Sequence, residues 1–443
     1  VKARPDPPPG PYLVVGLARS GVAAALALRA RGEIVIGLDS GKPAGLEPLA
    51  AAGVELHTEQ QGEALLERAH TVVKSPGVPA QAPVIALARS REMCVIGELE
   101  LAWRMLPGEF IAVTGTNGKT TTVELIGHIH RLAGVPVAVA GNVGAALSGL
   151  VGRLQQGASV VCEASSFQLE DTLAFAPEAA VLLNVAADHL DRHGTMSAYL
   201  AAKLRVFANQ SACDLAVLPV GFEPERLPGA AQRLGFGEGP GAELSLRDGL
   251  LCWEREPLLR ASELRLRGRH NLENAMAAAA VCLARGLDLE AVRAGLRDFA
   301  GVPHRLEEVS SSDGVLFVND SKATNVSSTL VALRAMADAG LPAHLILGGQ
   351  GKRQDFTQLR DAVARSCRAV YLIGEDAPAI ADALKGSSVP LRECGDLERA
   401  VAEAARAASA GEVVLLSPGC ASFDQFTDFE ARGERFRELA RSL

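Results

Sequence analysis

Short apolar runs recur along the chain, each closed by a glycine-rich or polar turn and followed by a longer stretch with helical spacing. Residues 12–16 read as a buried strand, the turn GLARSG (16–21) opens an alanine-rich helix to about Arg31, and 33–39 form the next strand. The same rhythm returns at 110–113, 135–140, 159–162 and 179–185. From Glu308 onward, apolar runs at 315–318, 344–347, 369–373 and 413–416 alternate with helical stretches at 329–339, 357–368 and 397–408. Strand and helix in alternation predict an α/β protein with parallel sheets. The exception is 221–269, irregular and glycine-rich, where antiparallel strands inserted in or appended to the sheet are expected.

One of the turns points to chemistry. FIAVTGTNGKTTT (110–122) carries a buried strand through Gly115 and Gly118 into a helix that opens at Lys119 and runs to about Leu132. Such a loop aims several backbone N–H groups and a helix N-terminus at one point, where a polyphosphate sits. Lys119 reaches the terminal phosphates, and the Thr120 hydroxyl can hold a Mg²⁺ ion bridging them. The usual pattern has glycine five residues before Gly118, and Val113 stands there, so the spacing is the shorter GTNGKT. An ordinary strand-to-helix turn has no need of a lysine and hydroxyls in this register. The stretch predicts a nucleoside triphosphate site.

Composition narrows the class. At 443 residues the chain exceeds a single core and predicts two to four domains. A net charge of −8 argues against nucleic acid as a partner. The eight cysteines lie singly, with no CxxC pair, as buried small side chains in a reducing compartment would. No signal-peptide pattern and no apolar run of bilayer length is present, so a cytoplasmic protein without a membrane partner is expected.

Other strand ends carry weaker signals. GLARSG, with Asp39 eighteen positions after Gly21, approaches the dinucleotide-binding spacing, but Ala18 replaces its middle glycine, and plain helix–strand packing accounts for it equally. The turn SPG (75–77) and the turn GNVG (141–144) could offer N–H groups to phosphate or only reverse the chain. Glu163 follows a strand near the phosphate loop, where a Mg²⁺ ligand normally lies, or is a solvated strand end. DHLDRH (188–193) invites a zinc reading, but nothing completes a tetrahedral set, so a polar active-site loop is the better expectation. Lys203 shares the face of a helix over 196–209 with Tyr199 and Phe207, and a lysine so placed more often carries its amine to water than does chemistry. Asn271 is a candidate N-cap, with Asn274 in the first turn of the alanine-rich helix beyond; both amides could also meet a purine edge. Three polar loops, 319–325, 348–353 and 417–423, close strands of the last segment and predict a second substrate surface.

Taken together, GTNGKTTT (115–122), EASSFQLE (163–170), DHLDRHG (188–194), KLRVF (203–207), GRHNLENAMAA (268–278), HRLE (304–307), NDSKATN (319–325), GGQGK (348–352) and SPGCASFDQFTDFEARGERF (417–436) resemble the Mur ligases, which add amino acids to the peptide stem of the bacterial cell-wall precursor. The resemblance covers essentially the whole chain. It implies three α/β domains: an N-terminal Rossmann-like UDP-binding domain (1–96), a central P-loop ATPase-type domain with a mixed sheet (97–304), and a C-terminal Rossmann-like amino-acid-binding domain (305–443). NDSKATN and the SPGCAS run resemble the member that joins D-glutamate to UDP-N-acetylmuramoyl-L-alanine, an ADP-forming ligase working through an acyl phosphate, here expected as a monomer.

The resemblance also implies roles. Arg19, Ser20, Asp39 and Ser75 would meet UDP, and Asn142, Ser165 and His189 the muramoyl-alanine. Gly115, Thr116, Asn117, Gly118, Lys119, Thr120 and Thr121 would hold the ATP phosphates; Asn271, Asn274 and Arg305 would meet the nucleotide, with Asp320 on its ribose. Two Mg²⁺ ions are implied, one on Thr120 and Glu163, the other on His189 and a carbamylated lysine at Lys203. Lys119, His189, Lys203 and Lys322 would act at the reacting groups, and Thr324, Lys352, Ser422 and Phe429 would seat D-glutamate.

Overall fold

The computed structural model describes residues 2–142, 144–186, 188–222, 227–266, 268–351 and 354–443, so Lys352 lies outside the described residues. Runs such as Tyr12–Val15, Phe110–Thr114 and Val413–Leu416 are apolar at nearly every position because they are buried on both faces. Parallel strands covered by helices on each side need that composition. The chain folds as two compact units, Val1–Arg265 with Arg269–Phe299, and Leu266–Gly268 with Ala300–Leu443.

The first unit holds two sheets. One is parallel throughout, with strands in the order Glu55–Thr58, Val35–Asp39, Tyr12–Val15, Thr71–Lys74 and Cys94–Gly97. Its strand order reverses beside Tyr12–Val15, and such a switch point opens a crevice at the strands' carboxyl ends. The other sheet has nine strands, with Phe110–Thr114 paired between Ser159–Glu163 and Ala179–Leu182. The phosphate-loop turn therefore leaves from an interior strand, third from one edge of the sheet. Its helix, Lys119–Leu132, packs on the helices Arg269–Ala284 and Leu289–Asp298.

The expectation for 221–269 is met only in part. Leu244–Arg247, Leu250–Trp253 and Glu256–Arg260 form an antiparallel meander, but Gln232–Gly237 runs parallel to both of its neighbours. Leu234 and Phe236 alternate with less buried residues, a pattern that assigns a face but carries no strand direction. The helix expected over 196–209 is an α-helix only over Met196–Leu204 and tightens into a 3₁₀ turn at Arg205–Phe207. Asn271 is no N-cap, because the helix already begins at Arg269.

The second unit carries one six-stranded sheet, parallel except for its edge strand Glu307–Ser312. Both edge strands, Glu307–Ser312 and Leu391–Gly395, are polar and half exposed, and neither stands out from the sequence pattern. The three polar loops leave the carboxyl ends of adjacent strands, Val315–Asn319, Val413–Leu416 and Ala343–Gly348. Among the described residues, no helix is long and apolar enough to cross a membrane, and all eight cysteines are free.

Candidate active site

The phosphate loop turns on glycines whose positive φ favours glycine over other residues. Gly118 has φ +85°, and a Cβ there would lie 2.1 Å from Asn274 Oδ1, so the Arg269–Ala284 helix packs directly against the loop. Asn117 is braced by Asn184: the Asn117 N–H donates to Asn184 Oδ1 at 2.9 Å, and Asn184 Nδ2 donates to the Asn117 carbonyl at 3.1 Å. Asn184 was not anticipated from the sequence, since its partner lies 67 residues away. Lys119 folds its amine back over the turn, donating to the carbonyls of Gly115 (3.0 Å) and Thr116 (2.9 Å).

Next to the lysine, Thr120 Oγ1 donates to Glu163 Oε2 at 2.8 Å, and Asn142 Nδ2 donates to Oε1 at 2.9 Å. Thr120 and Glu163 are 5% and 2% exposed. A hydroxyl and a carboxylate beside a phosphate loop are hard oxygen ligands, and the set fits Mg²⁺, which takes one or two protein oxygens and completes its octahedron with water and phosphate. Among the described residues no group of three His, Cys, Asp or Glu forms a closed metal cage.

Lys203 departs from the water-facing placement its helical position suggested. It is 1% exposed, its Nζ donates to the Gly115 carbonyl at 2.7 Å and lies 4.4 Å from the centroid of the Tyr199 ring. Burial, seconded by the Lys119 charge and opposed by Asp188, pushes its ammonium down to about 7. The Tyr199 hydroxyl sits 3.2 Å from Thr116 Oγ1, tying the helix Met196–Leu204 to the loop.

The two histidines of DHLDRH both pack on the Phe167 ring but differ in exposure. His189 adopts φ +51° and keeps its ring half exposed, 4.8 Å from the Phe167 ring and with Nε2 3.5 Å from Asp188 Oδ2. His193 is buried between Ser166 Oγ (3.0 Å) and Glu170 Oε1 (3.0 Å), and burial lowers its pKa. Ser165 caps the short helix Ser166–Leu169 in a capping box with Gln168.

At the switch point of the first sheet, Asp39 Oδ2 accepts the Leu17 N–H (2.7 Å) and Oδ1 the Gly41 N–H (2.8 Å), while Ser75 Oγ donates to the Gly16 carbonyl (2.6 Å). A Cβ on Gly21 would meet that carbonyl at 1.8 Å, so the helix Arg19–Ala30 enters this close only with glycine there. The turn, Asp39, Ser75 and the helix start with Arg19 and Ser20 thus share one crevice mouth.

In the second unit, Asp320 is buried beneath its loop. It accepts the Ser417 hydroxyl (2.8 Å) and the Leu306 N–H (3.2 Å), and burial pushes its carboxyl up to about 7 against the pull of Ser417 and Arg305. Arg432, 1% exposed, ties two of the polar loops together: it donates to Ser321 Oγ (3.0 Å) and to the carbonyls of Ser321 (2.9 Å), Cys420 (3.1 Å) and Ala421 (3.3 Å). Burial lowers its guanidinium to about 10. Lys322 Nζ lies 5.8 Å from the Phe429 ring centroid, Phe429 accepts the Ser321 hydroxyl through its carbonyl (2.8 Å), and Ser422 is buried. Arg432 was missed because nothing in its local sequence distinguishes a buried arginine from a surface one.

The chain matches three domains in series: the Mur ligase MurD-like N-terminal domain at 11–97, the Mur ligase middle domain at 113–282, and the Mur ligase glutamate ligase domain at 304–420. It is 41% identical to the UDP-N-acetylmuramoylalanine–D-glutamate ligase of Pelotomaculum thermopropionicum, over 97% of each chain. The chain belongs to the Mur ligase family. The ligase of the same name from Anaeromyxobacter dehalogenans is 44% identical over 96% of each chain. The UDP-N-acetylmuramate–alanine ligase of Thermotoga maritima shares the fold, with a TM-score of 0.59 at 21% identity, covering 98% of this chain and 99% of its own.

Within this Mur ligase, the first unit gathers Thr116, Lys119, Thr120, Glu163, Asn142, Tyr199 and Lys203 around one loop, linked by the bonds above. Asn142 meets Glu163 and so lies nearer the metal candidates than its substrate assignment alone implies. Thr324, Ser422 and Phe429 lie on or beside the two loops that Arg432 joins.

Proposed function

We propose that the chain is an ADP-forming ligase that joins D-glutamate to UDP-N-acetylmuramoyl-L-alanine in cytoplasmic synthesis of the peptidoglycan precursor. Full-length kinship to ligases of that name supports the substrates. The observation that carries the chemistry is the phosphate loop, with Lys119 folded over it and the Thr120–Glu163 pair beside it.

Amide formation in water fails unaided because the leaving oxygen of a carboxylate is too basic. In the proposed reaction a carboxylate oxygen attacks the γ-phosphorus of ATP, the bond to ADP breaks, and an acyl phosphate forms. The amine of D-glutamate then adds to the acyl carbon, loses a proton, and the tetrahedral intermediate expels phosphate. Carboxylate and γ-phosphate repel each other, and the Lys119 ammonium offsets that repulsion. Mg²⁺ bound at Thr120 and Glu163, and a second ion at His189 and Lys203, would neutralise phosphate charge. A buried lysine whose pKa is lowered to about 7 has a substantial neutral fraction near that pH and is suited to take up CO₂ as a carbamate, an oxygen ligand, which supports that role for Lys203.

The remaining assignments follow the same three-domain plan, 1–96 for UDP, 97–304 for ATP and 305–443 for the amino acid. Arg19, Ser20, Asp39 and Ser75 seat UDP; Asn142, Ser165 and His189 meet the muramoyl-alanine; Asn271, Asn274, Arg305 and Asp320 meet the nucleotide. Lys322 faces the reacting groups, and Thr324, Lys352, Ser422 and Phe429 receive D-glutamate, the Lys352 ammonium pairing with its side-chain carboxylate.

The test is ADP formation across a panel of amino acids with the UDP-linked acid, ATP and Mg²⁺. D-Glutamate is expected to support turnover and L-glutamate, D-alanine and diaminopimelate are not. Equal rates across the panel, or ADP release that ignores the UDP-linked acid, would contradict the assignment.

A further inference from the structure

At the carboxyl end of the strand Thr71–Lys74, the turn 75–78 closes with the Val78 N–H donating to the Ser75 carbonyl at 3.0 Å. Two contacts hold this turn from the central sheet's side of the unit, one through the cation Arg192 and one through the anion Asp171. Arg192 lays its guanidinium on the Phe167 ring, 3.9 Å from the centroid, and donates from there to the carbonyls of Pro76 (3.0 Å) and Val78 (3.4 Å). On the turn's other flank, Lys74 pairs with Asp171 at 2.7 Å, the two side chains 0% and 1% exposed. Asp171 also receives Arg89 at 2.7 Å, and its carbonyl accepts the Gly97 N–H at 2.8 Å.

The residues doing the gripping are close in sequence to candidates at the other end of the substrate. Phe167 and Asp171 follow Ser165 within six residues, and Arg192 follows His189 by three. Two short stretches, 165–171 and 189–192, therefore carry candidates for the acid and also fix the turn that presents Ser75. A planar guanidinium held by stacking, with two N–H groups on two carbonyls, constrains position and orientation together, which a lysine in its place could not. A buried Lys–Asp pair is by itself weak evidence for stability, and its yield here is geometric.

We propose that Arg192, with the Lys74–Asp171 pair behind it, is a positioning element that sets the distance between the seat for the UDP end and the seat for the acid end of the substrate. The proposal rests on the function given above. Only a ligand long enough to touch both seats senses that distance; a ligand of one seat does not.

Calorimetric titration of Arg192→Ala with UDP alone and with UDP-N-acetylmuramoyl-L-alanine tests it. UDP is expected to bind within twofold of the wild type, the whole substrate at least tenfold more weakly, and the KM values for ATP and D-glutamate to stay within twofold. Arg192→Lys is expected to recover only a small part of the loss. Should the alanine variant fold poorly, Lys74→Met with Asp171→Leu exchanges the buried pair for apolar volume and is expected to give the same split. Equal weakening of both ligands would show a general structural role, and unchanged binding of both would show no role; either overturns the proposal, as would full recovery by lysine. If the wild-type protein binds neither ligand, it is the proposed function that fails.

Discussion

Lys203 shows how far a side chain's chemistry depends on what surrounds it. On its own helix it is an ordinary lysine between two aromatics; in the fold its amine is sealed against Gly115 and Tyr199 and held near 7. The unfolded chain keeps that proton to about 10.4. Between the two values the unfolded state binds more protons than the folded one, so the lysine's contribution makes stability rise with pH across that window; below about 7 both states are protonated and the contribution is constant. In CO₂-free buffer, urea unfolding of the wild type against Lys203→Met is therefore expected to show a difference that shifts in favour of the wild type by about 2 kcal/mol between pH 7 and pH 9. A difference that stays flat would show an amine with an ordinary pKa. Bicarbonate is expected to raise the activity of the CO₂-depleted wild type and leave the methionine variant unchanged.

At the scale of elements, the parts legible in the sequence were those whose signal is local. The strand Phe110–Thr114, the glycines after it and the helix from Lys119 are set by consecutive residues, and the structure places them as the pattern predicts. The edge strands Glu307–Ser312 and Leu391–Gly395 were illegible because an edge needs no apolar run. Asn184 and Arg432 were missed for another reason: their partners lie 67 and 111 residues away, and only tertiary packing brings them together. Arg432 joins the loops after two strands, so its loss should act on both. Arg432→Met leaves the Ser321 and Cys420 carbonyls without their buried donor, and a destabilisation of about 2–4 kcal/mol is expected. In protein that remains folded, the KM for D-glutamate should rise at least tenfold while that for the UDP-linked acid changes less than twofold. A rise in both alike would show that the arginine serves the fold and not the amino-acid seat.

For the molecule as a whole, the recurring device is the parallel sheet that presents polar loops at its carboxyl ends, used three times with different loops. The central one carries the phosphate loop, and the proposed reaction makes it the place where an acid becomes a phosphoric anhydride before any amine attacks. The most direct measurement follows the oxygen atoms. With both carboxylate oxygens of the L-alanyl acid labelled with ¹⁸O, turnover with ATP and D-glutamate should yield phosphate carrying one labelled oxygen per molecule, read by mass spectrometry. Amide product accompanied by unlabelled phosphate would mean that the acid is never phosphorylated, and would contradict the account at its centre.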